Sequence, residues 1–179
     1  MTKAGDIYGK SLYDLACQEN LSDEILKEME AAKEIFRENP DYIRLLSEPS
    51  IPKRERLRLL DESFGNSIHE YLLNFMKILA ERGILREFGA CFKAFRKRYN
   101  DDHGIGEAFV TSPNGLSDAE RERLKDKLNK ITGKKIVLIE KQDPSVLGGI
   151  KVLVDDKLYD GTVRGRLNEI KRRVDETVL

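Results

Sequence analysis

The sequence has no excess of either charge, since 32 Lys and Arg residues are matched by 32 Asp and Glu. A chain without a net field is not drawn to nucleic acid or to an anionic membrane surface, so its partners must be found by shape. Long apolar runs are missing too. No window approaches the ~18 apolar residues of a membrane span. Residues 1–10 carry neither the apolar stretch of a secretory leader nor the Arg-rich, acid-poor character of a transit peptide. The expectation is an intracellular chain with no lipid insertion of its own, which leaves docking onto a membrane complex open.

Reactive and metal-binding residues are equally scarce. Histidine is limited to His69 and His103. Neither has a second His or a Cys at ligand spacing, so no metal is expected and both imidazoles read as solvated or structurally bonded. Gly133, Lys134 and Lys135 resemble the end of a phosphate loop, but the glycine required five positions earlier is Leu128, and the segment closes a helix instead of opening one. Cys17 and Cys91 lie far apart and are both expected as buried thiols within apolar helical stripes. Tryptophan is absent. Lys171, Arg172 and Arg173 near the end therefore lack the aromatic anchor of an interfacial helix. No catalytic residue and no cofactor is expected.

What the sequence does have is charge on helical faces. Charged residues make up 36%, against roughly 25% in an ordinary domain, and apolar residues recur between them with helical period. Tyr8, Ser11, Leu12 and Leu15 share one face of a first helix. A second follows Ser22, with Ile25, Met29, Ala32, Ile35 and Phe36 repeating behind the acidic first turn of Asp23 and Glu24. Asn39 fits an N-cap before Pro40 for a short third helix, and a fourth carries Leu57, Leu60 and Phe64 inward and closes at Gly65. The fifth has two apolar stripes, Ile68, Leu72, Phe75 and Leu79 beside Tyr71, Asn74 and Ile78, which is more width than one core needs. After Gly83 a sixth helix continues through Phe88, Cys91, Phe92, Phe95 and Tyr99.

Near NDDHGIG the period drops from that of a helix to that of a strand over Ile105–Thr111. Ser117 and Glu120 form a capping box for a helix with Leu124, Leu128 and Ile131. Strands are expected at Ile136–Glu140 and Ile150–Val154, joined by DPSVLGG in a hairpin-like connection, with a further short strand between Lys157 and Gly161. A final helix places Val163, Leu167, Ile170, Val174 and Val178 in a narrow seam suited to its own sheet or to a partner helix. The fold class is thus mostly α with a small α+β part: a six-helix bundle over residues 1–103, then short strands and two helices over 104–179.

Three stretches together resemble the delta subunit of bacterial F-type ATP synthase, the relative of the mitochondrial oligomycin-sensitivity-conferring protein. YGKSLYDLA looks like the family's Tyr-Ala-Lys-Ala-Leu opening, with Gly9 and Ser11 in place of alanines. Gly9 is expected to weaken the first helix, by roughly 0.5–1 kcal/mol, while keeping close approach by another helix possible. LLNFMKILAERG is similar to the family's fifth helix. DPSVLGGIKV followed by DGTVRGRL matches its C-terminal signature, carried by Asp143, Leu147, Gly148, Gly149, Asp160, Gly161, Val163 and Leu167. Adjacent glycines allow positive φ or a close approach, and Asp160 or Thr162 can cap the final helix.

The resemblance implies a non-catalytic stator subunit. Its helical bundle would hold the N-terminal helix of an alpha subunit in a groove between the first and fifth helices, here at Tyr8, Ser11, Leu15, Asn74, Ile78 and Arg82. Its C-terminal domain would contact the C-terminal ends of the b subunits. One copy per complex is implied, at the cytoplasmic face of the cell membrane and held there by the complex. The extra apolar stripe of the fifth helix suits a helix-in-groove site. The rival reading is a nucleic-acid-binding helical module built on KRERLR at 53–58 and KAFRKRY at 93–99. Phe95 and Tyr99 share the Phe88 and Phe92 stripe, however, which favours the core over base stacking. A second rival, an enzyme with its site between the domains, has no residue to support it.

Overall fold

A computed structural model describes residues 2–167. The expected continuation of the final helix through Ile170, Val174 and Val178, with Lys171, Arg172 and Arg173, lies outside the described residues. The chain divides into two compact units that part between Tyr99 and Asn100.

The first unit contains α1 (Lys3–Gln18), α2 (Ser22–Glu38), α3 (Pro40–Leu46), α4 (Lys53–Phe64), α5 (Glu70–Glu81) and all but the last turn of α6 (Phe88–Asp102), with a 3-10 turn at Leu85–Glu87 leading into α6. Three of them begin for a clear local reason. Thr2 accepts the Gly5 N–H at the start of α1, and His69 Nδ1 accepts the Tyr71 N–H at the start of α5. Pro40 stands at the head of α3, where its missing N–H would have had no partner. The helices surround one core in which Ile25, Met29, Leu46, Leu60, Leu72, Met76, Leu79, Phe88, Phe92 and Phe95 are fully or almost fully buried. Each such side chain contributes about 1.5–3 kcal/mol by leaving water. Phe36 meets Phe88 edge to face at 5.1 Å, and Tyr13 meets Phe95 likewise at 5.2 Å.

Several local expectations are corrected. The buried face of α1 is Gly5, Gly9, Leu12, Tyr13 and Ala16, so of the expected stripe only Leu12 is core, while Tyr8 is half-buried and Ser11 and Leu15 are exposed. Cys17 is exposed, not buried, because it stands one residue past Ala16 and about 100° away from that face. Cys91 is buried as expected, and burial pushes its thiol pKa up to about 12. Asn39 makes no side-chain cap on α3; its amide instead donates to the Ile35 carbonyl and closes α2. The cap position of α2 is Leu21, with Ser22 already helical. Gly65 ends α4 in right-handed conformation, whereas Gly83 and Gly133 have φ of +69°.

The second unit contains β1 (Ile105–Ser112), α7 (Asp118–Thr132), β2 (Lys135–Gln142), β3 (Lys151–Val154) and β4 (Lys157–Asp160), followed by the start of a helix, α8, at 163–167. Its sheet has the order β2-β1-β3-β4. β1 runs parallel to β2, which requires the α7 crossover, and antiparallel to β3. The expected hairpin between β2 and β3 is therefore corrected: DPSVLGG carries the chain across the end of β1 to its far side. The actual hairpin joins β3 to β4 through Asp155 and Asp156, both at positive φ (46° and 60°), the twist a two-residue turn needs.

Ser117 and Glu120 cap α7 reciprocally, and Leu128 packs on Ala108, Val110, Ile136, Val152 and Val154. Ile131 projects to solvent at 64% exposure instead of joining that face. The opposite face of the sheet carries a row of apolar residues in register across all four strands, Ile139, Phe109, Leu153 and Leu158.

Candidate functional site

The sequence nominates two regions, one in each unit. In the first unit, α5 buries Leu72, Leu73, Phe75, Met76, Leu79 and Ala80. That leaves Tyr71 half-buried and Asn74, Ile78 and Arg82 on a separate line at spacings of three and four. On α1 the corresponding outward line is Ser11 and Leu15 with Tyr8 at its margin. The two lines meet at one end, where the Arg82 guanidinium lies over the Tyr8 ring, 5.9 Å from its centroid. Leu15 and Ile78 are 37% and 45% exposed. Ser11 turns its hydroxyl back onto its own helix, donating to the Ile7 carbonyl at 3.0 Å, so it presents a small surface. Among the six nominated residues, Tyr8 and Arg82 are brought into contact and the other four are surface positions of the same two helices.

Ile7 was missed. It is 53% exposed one turn before Ser11, and its apolar side chain between the polar Asp6 and Lys10 was the available signal. The placement of α1 depends on its two glycines. A Cβ on Gly5 would stand 2.5 Å from the Ala90 Cβ, and one on Gly9 would overlap the Cys91 carbonyl oxygen and stand 2.7 Å from the Ala94 Cβ. Close packing against α6 therefore fixes which face α1 turns outward. Arg56 reaches across the unit to donate to the last carbonyls of neighbouring helices, Ala80 at 2.8 Å and Leu46 at 3.4 Å.

In the second unit the C-terminal signature forms a fastening for α8. Gly148 and Gly149 both have positive φ (64° and 79°), and a Cβ on Gly149 would overlap the Gly161 carbonyl oxygen. The Gly161 N–H donates to Ile150 O at 2.9 Å and the Val163 N–H to Gly148 O at 3.3 Å. Asp160 Oδ1 accepts from the Thr162 N–H and hydroxyl at 3.0 and 2.7 Å, and Thr162 Oγ1 in turn accepts the Gly165 N–H at 3.0 Å. These hydrogen bonds from Thr162, side chain first, hold the Asp160 carboxyl below its ordinary range. Asp143 is lowered in the same way by the Ser145 hydroxyl and N–H. Leu147 is 71% exposed, Val163 52% and Leu167 61%.

Among the described residues no group of His, Cys, Asp and Glu is placed to hold a metal ion, and no helix is long and apolar enough to cross a membrane. Residues 5–174 match the family model described as the ATP synthase delta (OSCP) subunit.

The chain belongs to that family. It is 30% identical over 168 residues to the ATP synthase subunit delta of Halalkalibacterium halodurans, covering 93% of this chain and 92% of that protein. It is 33% identical over 170 residues to the corresponding subunit of Lactobacillus gasseri, covering 94% and 93%. Its fold matches a chain in the cryo-EM structure of the Toxoplasma gondii mitochondrial ATP synthase hexamer, with a TM-score of 0.75 at 13% identity, over 97% of this chain and 98% of that one. The protein is thus a non-catalytic delta/OSCP subunit in the stator of F-type ATP synthase.

Proposed function

We propose that this delta subunit joins the catalytic head to the peripheral stalk with a different surface in each unit. The N-terminal unit holds the N-terminal helix of one alpha subunit between α1 and α5, at Tyr8, Ser11, Leu15, Asn74, Ile78 and Arg82. The C-terminal unit takes the C-terminal ends of the b subunits. The observation that carries the first half is the pair of exposed apolar side chains Ile78 on α5 and Leu15 on α1, at 45% and 37% exposure, together with the Tyr8–Arg82 contact between the two helices' outward lines. An amphipathic helix laid there would cover apolar surface on both helices.

The mechanical requirement calls for no reactive group. Ion flow through the membrane sector turns the rotor, and the head makes ATP only if it does not turn as well. The joint needs bonds that resist torque and no chemistry of its own. One copy per complex meets that need, positioned at the cytoplasmic face of the membrane by its partners.

A peptide of the alpha N-terminal helix, titrated into the full chain by calorimetry, tests the groove. Ile78→Asp is expected to weaken binding about tenfold or more, the loss that follows from placing a charge in an apolar contact. Unchanged affinity in both Ile78→Asp and Leu15→Asp would rule the groove out.

A further inference from the structure

α4 holds α5 at three points that follow one another in antiparallel order. Asp61 meets Lys77, the Arg56 guanidinium meets the Ala80 carbonyl, and Lys53 meets Glu81 at 3.1 Å. The outer two are ion pairs between side chains, each with at least one partner out in solvent, and pairs so placed fix little. The middle contact differs in kind. Arg56 is half-buried, and its Nη1 donates at 2.8 Å to the backbone oxygen of the fully buried Ala80. The same nitrogen donates at 3.4 Å to the carbonyl of Leu46, also fully buried. One planar cation thereby joins the C-terminal ends of α3 and α5, where each helix runs out of its own N–H donors and carries partial negative charge.

Ala80 stands in the last turn of α5, two residues from both Ile78 and Arg82, which at about 100° per residue puts those two side chains on the side of the helix opposite to it. Its carbonyl also accepts the Gly83 N–H at 3.1 Å. The turn that closes α5 and the Arg56 guanidinium thus share one oxygen. A shift of that turn would carry Ile78 with it, and with it Arg82, whose guanidinium lies over the Tyr8 ring of α1.

We infer that Arg56 is a positioning residue for the alpha-subunit groove: by fixing the last turn of α5 through the Ala80 carbonyl, it holds Ile78 and Arg82 where α1 and the incoming helix meet them. This rests on the groove reading and adds to it a residue on α4, outside the two helices that form the groove. An arginine that only stabilised the unit would change the folded fraction and leave the affinity of the folded protein untouched.

Titration of the full chain with a peptide of the alpha N-terminal helix, after circular dichroism has established that each variant is folded, separates the two roles. Arg56→Met, which keeps the stem and removes the donors, is expected to weaken binding about fivefold, the scale of a coupling carried through packed contacts. Arg56→Lys keeps the charge on a single ammonium and should return to within about twofold of wild type. Lys53→Gln, which removes the neighbouring ion pair, should bind as wild type. Two double-variant cycles decide the matter. Combined with Arg82→Ala, Arg56→Met should cost less than it does alone, because a group it positions is gone, whereas combined with Leu15→Ala on α1 the two losses should multiply. Equal affinity of folded Arg56→Met and wild type would overturn the inference, as would losses that multiply in both cycles or a Lys53→Gln variant as weak as Arg56→Met. If Arg56→Met does not fold, the same cycles are run with Arg56→Gln, whose shorter amide keeps a donor. A wild-type chain that fails to bind the peptide would instead remove the groove reading, and this inference with it.

Discussion

Gly9 of α1 lies directly against the backbone carbonyl of Cys91 on α6, in a gap that no Cβ can enter. In an isolated helix, alanine would be better there by roughly 0.5–1 kcal/mol. In this bundle the added methyl must push α1 off α6, and overpacking of that kind costs about 1–3 kcal/mol. Gly9→Ala is therefore expected to destabilise the protein by about 1–2 kcal/mol. Urea unfolding checks the sign, and a variant as stable as wild type would show that the two helices can part at no cost.

A comparable close approach occurs in the C-terminal signature. Gly149 combines positive φ with contact to the Gly161 carbonyl, so Gly149→Ala meets both a backbone and a packing penalty, about 2–4 kcal/mol together. Amide exchange should accelerate at Gly161 and Val163, whose N–H groups donate to Ile150 and Gly148, while amides of α2 and α5 keep their protection. Equal acceleration in both units would contradict the local account.

Thr162 is 2% exposed and caps α8 through Gly165. Removing the hydroxyl in Thr162→Ala should cost about 1 kcal/mol, again read as faster exchange at Gly165. Thr162→Ser, which keeps the oxygen, should restore most of the protection.

Four carboxylates of the second unit are held below their ordinary range: Asp160 by Thr162, Asp143 by Ser145, Glu120 by Ser117 and Glu140 by Arg121. With a lowered folded pKa, each binds fewer protons folded than unfolded. The stability it contributes is complete above the unfolded values, about 3.9–4.3, and fades as pH falls through the lowered ones. Methyl NMR signals of Val110, Val152 and Val154 should hold steady from pH 7 to about 5 and weaken below about 4. Loss that begins above pH 5 would require a different titrating group.

The two thiols should separate cleanly. Cys91 is buried with its pKa near 12, whereas Cys17 is exposed. At mildly alkaline pH a maleimide should label Cys17 alone, giving one adduct by mass, and Cys17→Ser should give none. Rapid labelling of Cys91 in the native protein would show that the helical unit opens far more readily than its packing implies.

The helices were legible because each repeats its apolar residues at helical spacing, and Leu72, Phe75 and Leu79 on α5 were read as core from that alone. Faces were harder. Periodicity assigns a stripe but does not weigh glycine, so the core side of α1, built on Gly5, Gly9 and Ala16, was shifted toward Tyr8 and Leu15, and Cys17 was misplaced with it. Strand identity in the second unit followed from β-branched alternation, but pairing depends on contacts distant in sequence, and nothing in DPSVLGG distinguishes a hairpin from a crossing. At the proposed groove, the second stripe of α5 is visible in the sequence, while the Tyr8–Arg82 contact joins residues far apart in the chain and leaves no mark on the pattern of either helix.

β1 has a further consequence for how the protein is made. Among the described strands it alone is paired on both sides by strands that emerge later: Ile105 waits for Lys135, and Thr111 for Lys151. On the ribosome the helical unit can collapse on neighbouring contacts as it emerges, while β1 remains an open strand edge until most of the remaining chain has been translated. A nascent chain stalled before Lys151 would present that edge together with Phe109, and such chains are the ones expected to need a chaperone.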